Sequence, residues 1–403
     1  LYMSALGNVS SPVWTTMSFC NSLVMGASIL ISQSVGAEKR EDIGEYAGAM
    51  MKYNNIIPIF LCFFWMIFPK PVFMILGVSD NVMPLCLGYV RWYAPLFLLI
   101  GLGGSLGVIL QTSNYTKPLV VYGCIRSGLN IFLDWMLIFG NLGMPALGIE
   151  GAAIATVIAE YVGAIYISVI FFTSKKLPTR PSWNDVKKGH FRSYLNAAKL
   201  GINIALEDFA WNIGNMILIR ILNSINEYAA GIYTIIFGVE VLAVVIIGAI
   251  GSGTMTLTSE AIGRKNLAQY KGITLCAYAV CAIVTVVMIV GAVLFPEQIL
   301  SLFTSDKTVI ASCGVYLLLI GINLFSKSGN IIIGNAIRGS GNTKWMLFTQ
   351  IFGTIWIVIV ASVLVFICKL GILGVFLAVL LDEGVRALIN FWKYLRIVKK
   401  WRE

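Results

Sequence analysis

Long apolar runs alternate with short polar loops along the chain. A hydrocarbon layer roughly 30 Å thick, climbed at about 1.5 Å per residue, needs about 20 apolar residues per helix. The eleven runs of that length predict helices over residues 12–36, 48–68, 83–112, 118–139, 148–173, 195–222, 228–262, 273–295, 309–337, 345–368 and 371–394. The pattern is that of an all-α, polytopic membrane protein.

The longest polar loop, 174–190, contains Pro178 and Pro181 and lies near the middle of the chain. It predicts an N-terminal lobe over 1–174, a cytoplasmic linker over 175–192 and a C-terminal lobe over 193–403. An internal repeat supports the division. SQSVG at 32–36 resembles SEAIG at 259–263, and TSNYTK at 112–117 resembles GSGNTK at 339–344, both at an offset of 227 residues. LGIEG at 147–151 matches LGILG at 370–374 at an offset of 223, because the preceding loop is shorter in the second half. Matched loops fall on one membrane side, so the repeat is expected to be parallel, with two pseudo-symmetric lobes as in many secondary transporters.

Composition sharpens this picture. Of 403 residues 58% are hydrophobic and 12% charged, whereas soluble domains carry about 25% charged residues. The mean hydropathy is +0.85. A soluble globular protein is excluded. Lys and Arg number 29 against 19 Asp and Glu, a net charge of +10. The excess falls on alternate loops: Lys39 and Arg40, Lys117, the basic residues of 175–192, Arg264 to Lys271, Arg338 and Lys344, and finally Lys399, Lys400 and Arg402. By the positive-inside rule that face is cytoplasmic, the C-terminus is inside, and the charge reports orientation in a plasma (inner) membrane rather than nucleic-acid binding. The eight cysteines lie in apolar stretches without a CxxC, and His190 is the single histidine. They read as buried thiols acting as small apolar groups, with no metal site. No GxxxxGK[ST] loop is present, so ATP hydrolysis within this chain is not expected, and the sequence assigns no cofactor.

Several stretches resemble, in order, the motifs of the multidrug and toxic compound extrusion (MATE) family of cation-coupled antiporters. They are NIFLDWMLIFG (130–140) followed by LGIEGAAIAT (147–156), then AIRGSGNTK (336–344), then GVFLAVLLDEGVRALINFWKYLRIVKKW (374–401). The resemblance implies twelve helices, six per lobe, with the first helix of this sequence matching the family's second. The family's first helix, which in part of the family carries a coupling aspartate, is then expected to be missing here.

An unpaired charge at mid-bilayer costs about 2.5–3.5 kcal/mol on insertion scales, so each intramembrane acid needs a partner, a proton or a function. Asn130 and Asp134 lie at i and i+4 on one helix face, where the amide can bond the carboxyl group. The resemblance places this pair in an N-lobe proton or cation network. Glu207 and Asp208 are adjacent and point about 100° apart, so one of them is expected to face a cavity. The resemblance favours Glu207 for the C-lobe cation site, and Asp208 then reads as a helix-packing or interfacial residue. Glu240 has no basic residue within four positions on its own helix, and Lys327 is the obvious intramembrane cation. Lys327 stands where sodium-coupled relatives carry an aspartate ligand, which argues against sodium coordination of that type. It is expected to pair with Glu207 or Glu240, with protonation of the acid breaking the pair. Asp382 and Arg386, at i and i+4, read as an architectural pair, and Glu160 aligns with Glu383 in a shared packing role. Arg91, Arg126, Lys199 and Arg220 are expected near helix ends, snorkelling to the interface.

The leading expectation is a monomeric secondary transporter exchanging protons or sodium for amphiphilic or cationic small molecules by alternating access, with the lipid bilayer as its solvent. A lipid-linked saccharide flippase on the same two-lobed fold is the competing reading, and would favour a cationic cavity. An intramembrane prenyltransferase or protease is the third, but DDxxD and HExxH are absent.

Overall fold

The structure, a computed structural model, describes residues 2–226, 228–304 and 307–401. Among them there are helices and no strands. The order is α1 (Tyr2–Gly36), α2 (Arg40–Tyr53), α3 (Ile56–Ile67), α4 (Pro69–Ile75), α5 (Met83–Tyr93), α6 (Leu96–Thr112), α7 (Lys117–Phe139), α8 (Gly148–Thr173), α9 (Trp183–Lys188), α10 (Phe191–Asn223), α11 (Ala229–Gly263), α12 (Leu267–Leu294), α13 (Pro296–Ser301), α14 (Lys307–Gly339), α15 (Thr343–Ser362) and α16 (Gly371–Lys400). Seven of the helical spans among the described residues are long and apolar enough to cross a membrane, or eight if the bent pair α5–α6 counts as one. Three further long helices, α7, α10 and α16, carry the intramembrane charges Asp134, Glu207 and Asp382–Arg386. The chain is an all-α polytopic membrane protein.

Two predicted helices are interrupted. The run 48–68 breaks at Asn54 and Asn55. The Asn54 side chain donates to the Gly101 carbonyl at 3.1 Å and lies 3.4 Å from Ser105 Oγ, so the buried amide is partnered inside the protein. The run 83–112 bends by 41° between α5 and α6, where Pro95 lacks the amide hydrogen that would continue the ladder.

The helices form two compact units, Leu1–Ala205 and Leu206–Glu403, divided within α10. The first unit has one core around Trp65, Phe73 and Phe97 and another around Ile31, Met50 and Ile109. Residues 175–192 are folded onto this unit. Thr179 is buried and donates to the Ile109 carbonyl at 2.9 Å. Ser182 caps α9 by accepting from the Asp185 amide at 3.2 Å, while the Asp185 carboxylate accepts from the Ser182 amide at 2.8 Å. Gly48 lets α9 lie on α2, since a Cβ there would sit 2.4 Å from the Asp185 carbonyl oxygen. The second unit packs around Leu222, Ile236 and Phe376.

The repeat read from sequence recurs in backbone conformation. Glu38 and Lys265 both adopt positive φ just past α1 and α11, as do Asn114 and Gly341 past α6 and α14, and Gly148 and Gly371 at the starts of α8 and α16. The first two pairs are 227 residues apart and the third 223, the offsets of the motifs themselves. Left-handed backbone at matched places means matched helix boundaries.

All eight cysteines are free thiols, but Cys124, Cys276 and Cys368 are exposed, against the expectation that all are buried. Apolar context in a membrane protein covers lipid-facing positions as well as core ones. Lys399 and Lys400 end α16, while Arg402 lies outside the described residues.

Candidate functional site

In the second unit, four helices bring polar side chains to one buried place. On α14, Asn323, Lys327 and Asn330 recur at intervals of four and three; on α16, Asp382, Arg386 and Asn390 recur at intervals of four. Such spacing keeps each set on one helix face. Glu240 comes from α11, and Gln350 and Gly353 come from α15.

Lys327 is the link. Its Nζ lies 2.7 Å from Glu240 Oε1 and 3.8 Å from Glu383 Oε1. Glu240 Oε1 also accepts from Asn323 Nδ2 at 3.3 Å. Glu383 accepts from Asn330 Nδ2 at 2.6 Å and lies 3.0 Å from Arg386 Nη2. Arg386 donates through Nε to Asp382 Oδ2 at 2.9 Å and through Nη1 to Gln350 Oε1 at 2.7 Å. Asn390 supports Asn330 at 3.1 Å, and Trp345 donates to Asn390 at 3.2 Å. Gly353 makes room for this: a Cβ there would fall 2.4 Å from Arg386 Cδ. The cluster borders a small cavity of about 40 Å³, lined also by Trp211, Tyr233 and Phe237.

Three acids, Glu240, Asp382 and Glu383, thus face two bases, Lys327 and Arg386. With every group ionised the cluster carries one surplus negative charge. Two oxygens of the cluster, Asp382 Oδ1 on a carboxylate and Asn323 Oδ1 on an amide, are buried and accept no hydrogen bond among the described residues. Low-dielectric surroundings make such an unmet acceptor costly. The arrangement can take up one proton.

Glu207 stands apart, paired with Arg338 rather than with Lys327. Arg338 Nε donates to its Oε2 at 3.3 Å, and Nη2 reaches its Oε1, a two-pronged contact. Arg338, read from sequence as a loop charge, instead ends α14 with its guanidinium largely buried. Glu207 is buried and Asp208 half-buried, with the Asp208 carbonyl accepting from Asn212 Nδ2 at 2.8 Å.

In the first unit the Asn130 amide is donated to Thr156 Oγ1 at 3.3 Å and not to Asp134. Asp134 Oδ1 is buried and accepts no hydrogen bond among the described residues. Arg126 does not snorkel at a helix end. It sits within α7 and bonds Glu160 on α8 at 2.9 Å, and Tyr122 donates to the same carboxylate at 2.6 Å. These three side chains line a pocket of about 250 Å³. Asp382 and Arg386 do form the expected pair, but Arg386 reaches Glu383 and Gln350 as well, so the pair is continuous with Lys327. No group of three or more His, Cys, Asp or Glu among the described residues could hold a metal ion.

The family model MatE matches residues 1–136 and 203–364. The chain belongs to this family, the MATE multidrug efflux transporters. A probable multidrug resistance protein NorM of Thermotoga maritima is 27% identical across 100% of this chain and 86% of its own length. An uncharacterized transporter, YisQ, of Bacillus subtilis is 24% identical over 94% of this chain and 82% of its own. Among solved structures, a crystal structure of a mutant MATE superposes with a TM-score of 0.91 at 19% identity, covering 100% of this chain and 89% of that one. Its likeness bears on the MATE fold alone. The relatives named by activity are transporters, not enzymes, which sets aside the intramembrane prenyltransferase or protease.

Proposed function

We propose that this MATE protein is a cation-driven antiporter that exports amphiphilic or cationic small molecules by alternating access between two lobes, divided near residues 175–192. We assign cation coupling in the second lobe to the Glu240–Lys327–Glu383–Arg386–Asp382 cluster. The observation that carries this reading is its surplus carboxylate, with Asp382 Oδ1 buried and without a hydrogen-bond partner among the described residues. A buried negative charge in excess lowers its own energy by taking up one proton or one monovalent cation. Lys327 lies between Glu240 and Glu383. Protonating either acid removes one of the two charges holding the ammonium and frees it to shift, a two-state element of the kind coupling requires. An ammonium in that position repels sodium, which favours the proton as the coupling ion. Glu207, neutralised by Arg338, serves as a second acid of the same lobe; Asp208 is given a packing role. Asp134, with Asn130 beside it, is the first-lobe candidate. The acids outnumber the bases in the cluster, which argues against holding pyrophosphate as a saccharide flippase must. The natural setting proposed is the plasma membrane, with a cytoplasmic C-terminus and a monomeric unit.

The test is transport by the complete protein in liposomes with proton and sodium gradients imposed separately, following a fluorescent organic cation. Efflux driven by the proton gradient, falling at least about tenfold in Asp382→Asn, is the expected result, since a tenfold change corresponds to about 1.4 kcal/mol. Lys327→Ala is expected to flatten the pH dependence of efflux. No movement under either gradient would sink the antiport reading, and unchanged efflux and pH profile in Lys327→Ala would sink the switch.

A further inference from the structure

On the outside of the second unit, α12, α14 and α16 enclose a long open groove of about 1220 Å³. Its lining is apolar over most of its length, with Leu275, Phe325, Leu381 and Leu388 among the walls. Its floor includes Gly329 and Gly384; a Cβ added at Gly384 would meet nothing within 4 Å. Lys271 and Lys399 also line it. Lys399 is shared with a second hollow of about 740 Å³, which adds Lys393, Arg396 and Lys400 and contains no acidic residue. None of these five cations is in an ion pair among the described residues.

Aromatic residues mark the depth of this basic end. Trp401 packs 5.8 Å from Tyr270, itself 5.5 Å from Tyr394. Lys393 lies over Trp345 at 4.8 Å and Arg396 over Trp392 at 3.8 Å. Trp and Tyr gather where headgroups meet hydrocarbon. A groove shaped for hydrocarbon, ending at that level in a cradle of one charge sign, matches a molecule with two apolar chains and an anionic head. Basic pockets between membrane helices bind phosphate-bearing headgroups on these terms.

We propose that this groove is a binding site for an anionic phospholipid, its acyl chains lying along α12, α14 and α16 and its phosphate held by Lys399, Lys271 and Arg396. The site is separate from the buried cluster and does not rest on its role in coupling. A neutral phospholipid fits the groove but leaves the cradle unpaired, so the selectivity lies in the headgroup.

The experiment is native mass spectrometry of the detergent-purified complete protein titrated with phosphatidylglycerol, with phosphatidylcholine of the same chains, and with glycerol 3-phosphate, which has the head and no chains. Retained phosphatidylglycerol, little phosphatidylcholine and no glycerol phosphate is the expected pattern. The Lys271→Ala, Arg396→Ala, Lys399→Ala combination should lower phosphatidylglycerol retention on the order of tenfold or more. Gly384→Leu, which fills open space without touching the cradle, should lower it too, and melting curves will show that both variants stay folded. Equal retention of the two lipids, equal binding of glycerol phosphate alone, loss of neither variant's retention, or an adduct with the mass of a second copy of the chain would each overturn the proposal.

Discussion

Arg338 and Lys327 each answer a buried carboxylate, yet removing them should have different consequences. Arg338 is the basic partner of Glu207, and deleting one member of a buried pair leaves an uncompensated charge costing about 3–5 kcal/mol. Arg338→Ala is therefore expected to lower the melting temperature in detergent markedly, and adding Glu207→Gln should restore most of the loss. If the single variant melts like the parent, the pair contributes nothing to stability. Lys327 sits between two acids and should affect pH dependence more than melting. Most members of the cluster were readable as chemistry but not as a set. The recurrence of 323, 327 and 330 and of 382, 386 and 390 is a polar stripe on an otherwise apolar helix, a signal already present in the sequence. Which stripes meet was not legible there, because i, i+4 rules describe one helix and say nothing of its neighbour. That gap is why Arg338 reads as a loop charge, and why Asn130 reads as the partner of Asp134 when Thr156 on α8 is the one that receives its amide.

At the scale of elements, close approach of backbones decides what a substitution costs. A Cβ at Gly151 on α8 would stand 2.6 Å from the Leu137 carbonyl oxygen of α7. Gly151→Ala should force the two helices apart at a cost of about 1–3 kcal/mol, read as a lower melting temperature. The α9 segment depends on its cap. Ser182→Ala removes an N-cap worth about 1 kcal/mol and should speed proteolytic cleavage within 174–190; cleavage at the parental rate would show that α9 is held by its contacts with α2 alone. The long apolar runs were visible as helices because 20 consecutive apolar residues are their own signal. The break at Asn54 was hidden, since its partners, Gly101 and Ser105, come from a helix far along the chain. Short α9, lying in a polar loop, offered only the Ser182–Asp185 spacing.

Over the whole molecule, two chemical asymmetries organise the chain: basic residues concentrate on alternate loops, and acids outnumber bases in the buried cluster. The first leads to the proposed orientation. A green fluorescent protein fused after the C-terminus should fluoresce, and an alkaline phosphatase fused there should be inactive; the reverse pair would invert the topology. The sequence by itself determined that this is an all-helical polytopic membrane protein of the MATE family with an internal repeat, because hydropathy, loop charge and motif register are written along the chain. Only the tertiary structure decided which charges answer which. Glu240 meets Lys327 across 87 residues and Glu207 meets Arg338 across 131, and such pairings follow from how helices pack. The same holds for the groove on α12, α14 and α16, whose apolar wall and basic end are contributed by three separated segments and exist as one surface only once those helices are side by side.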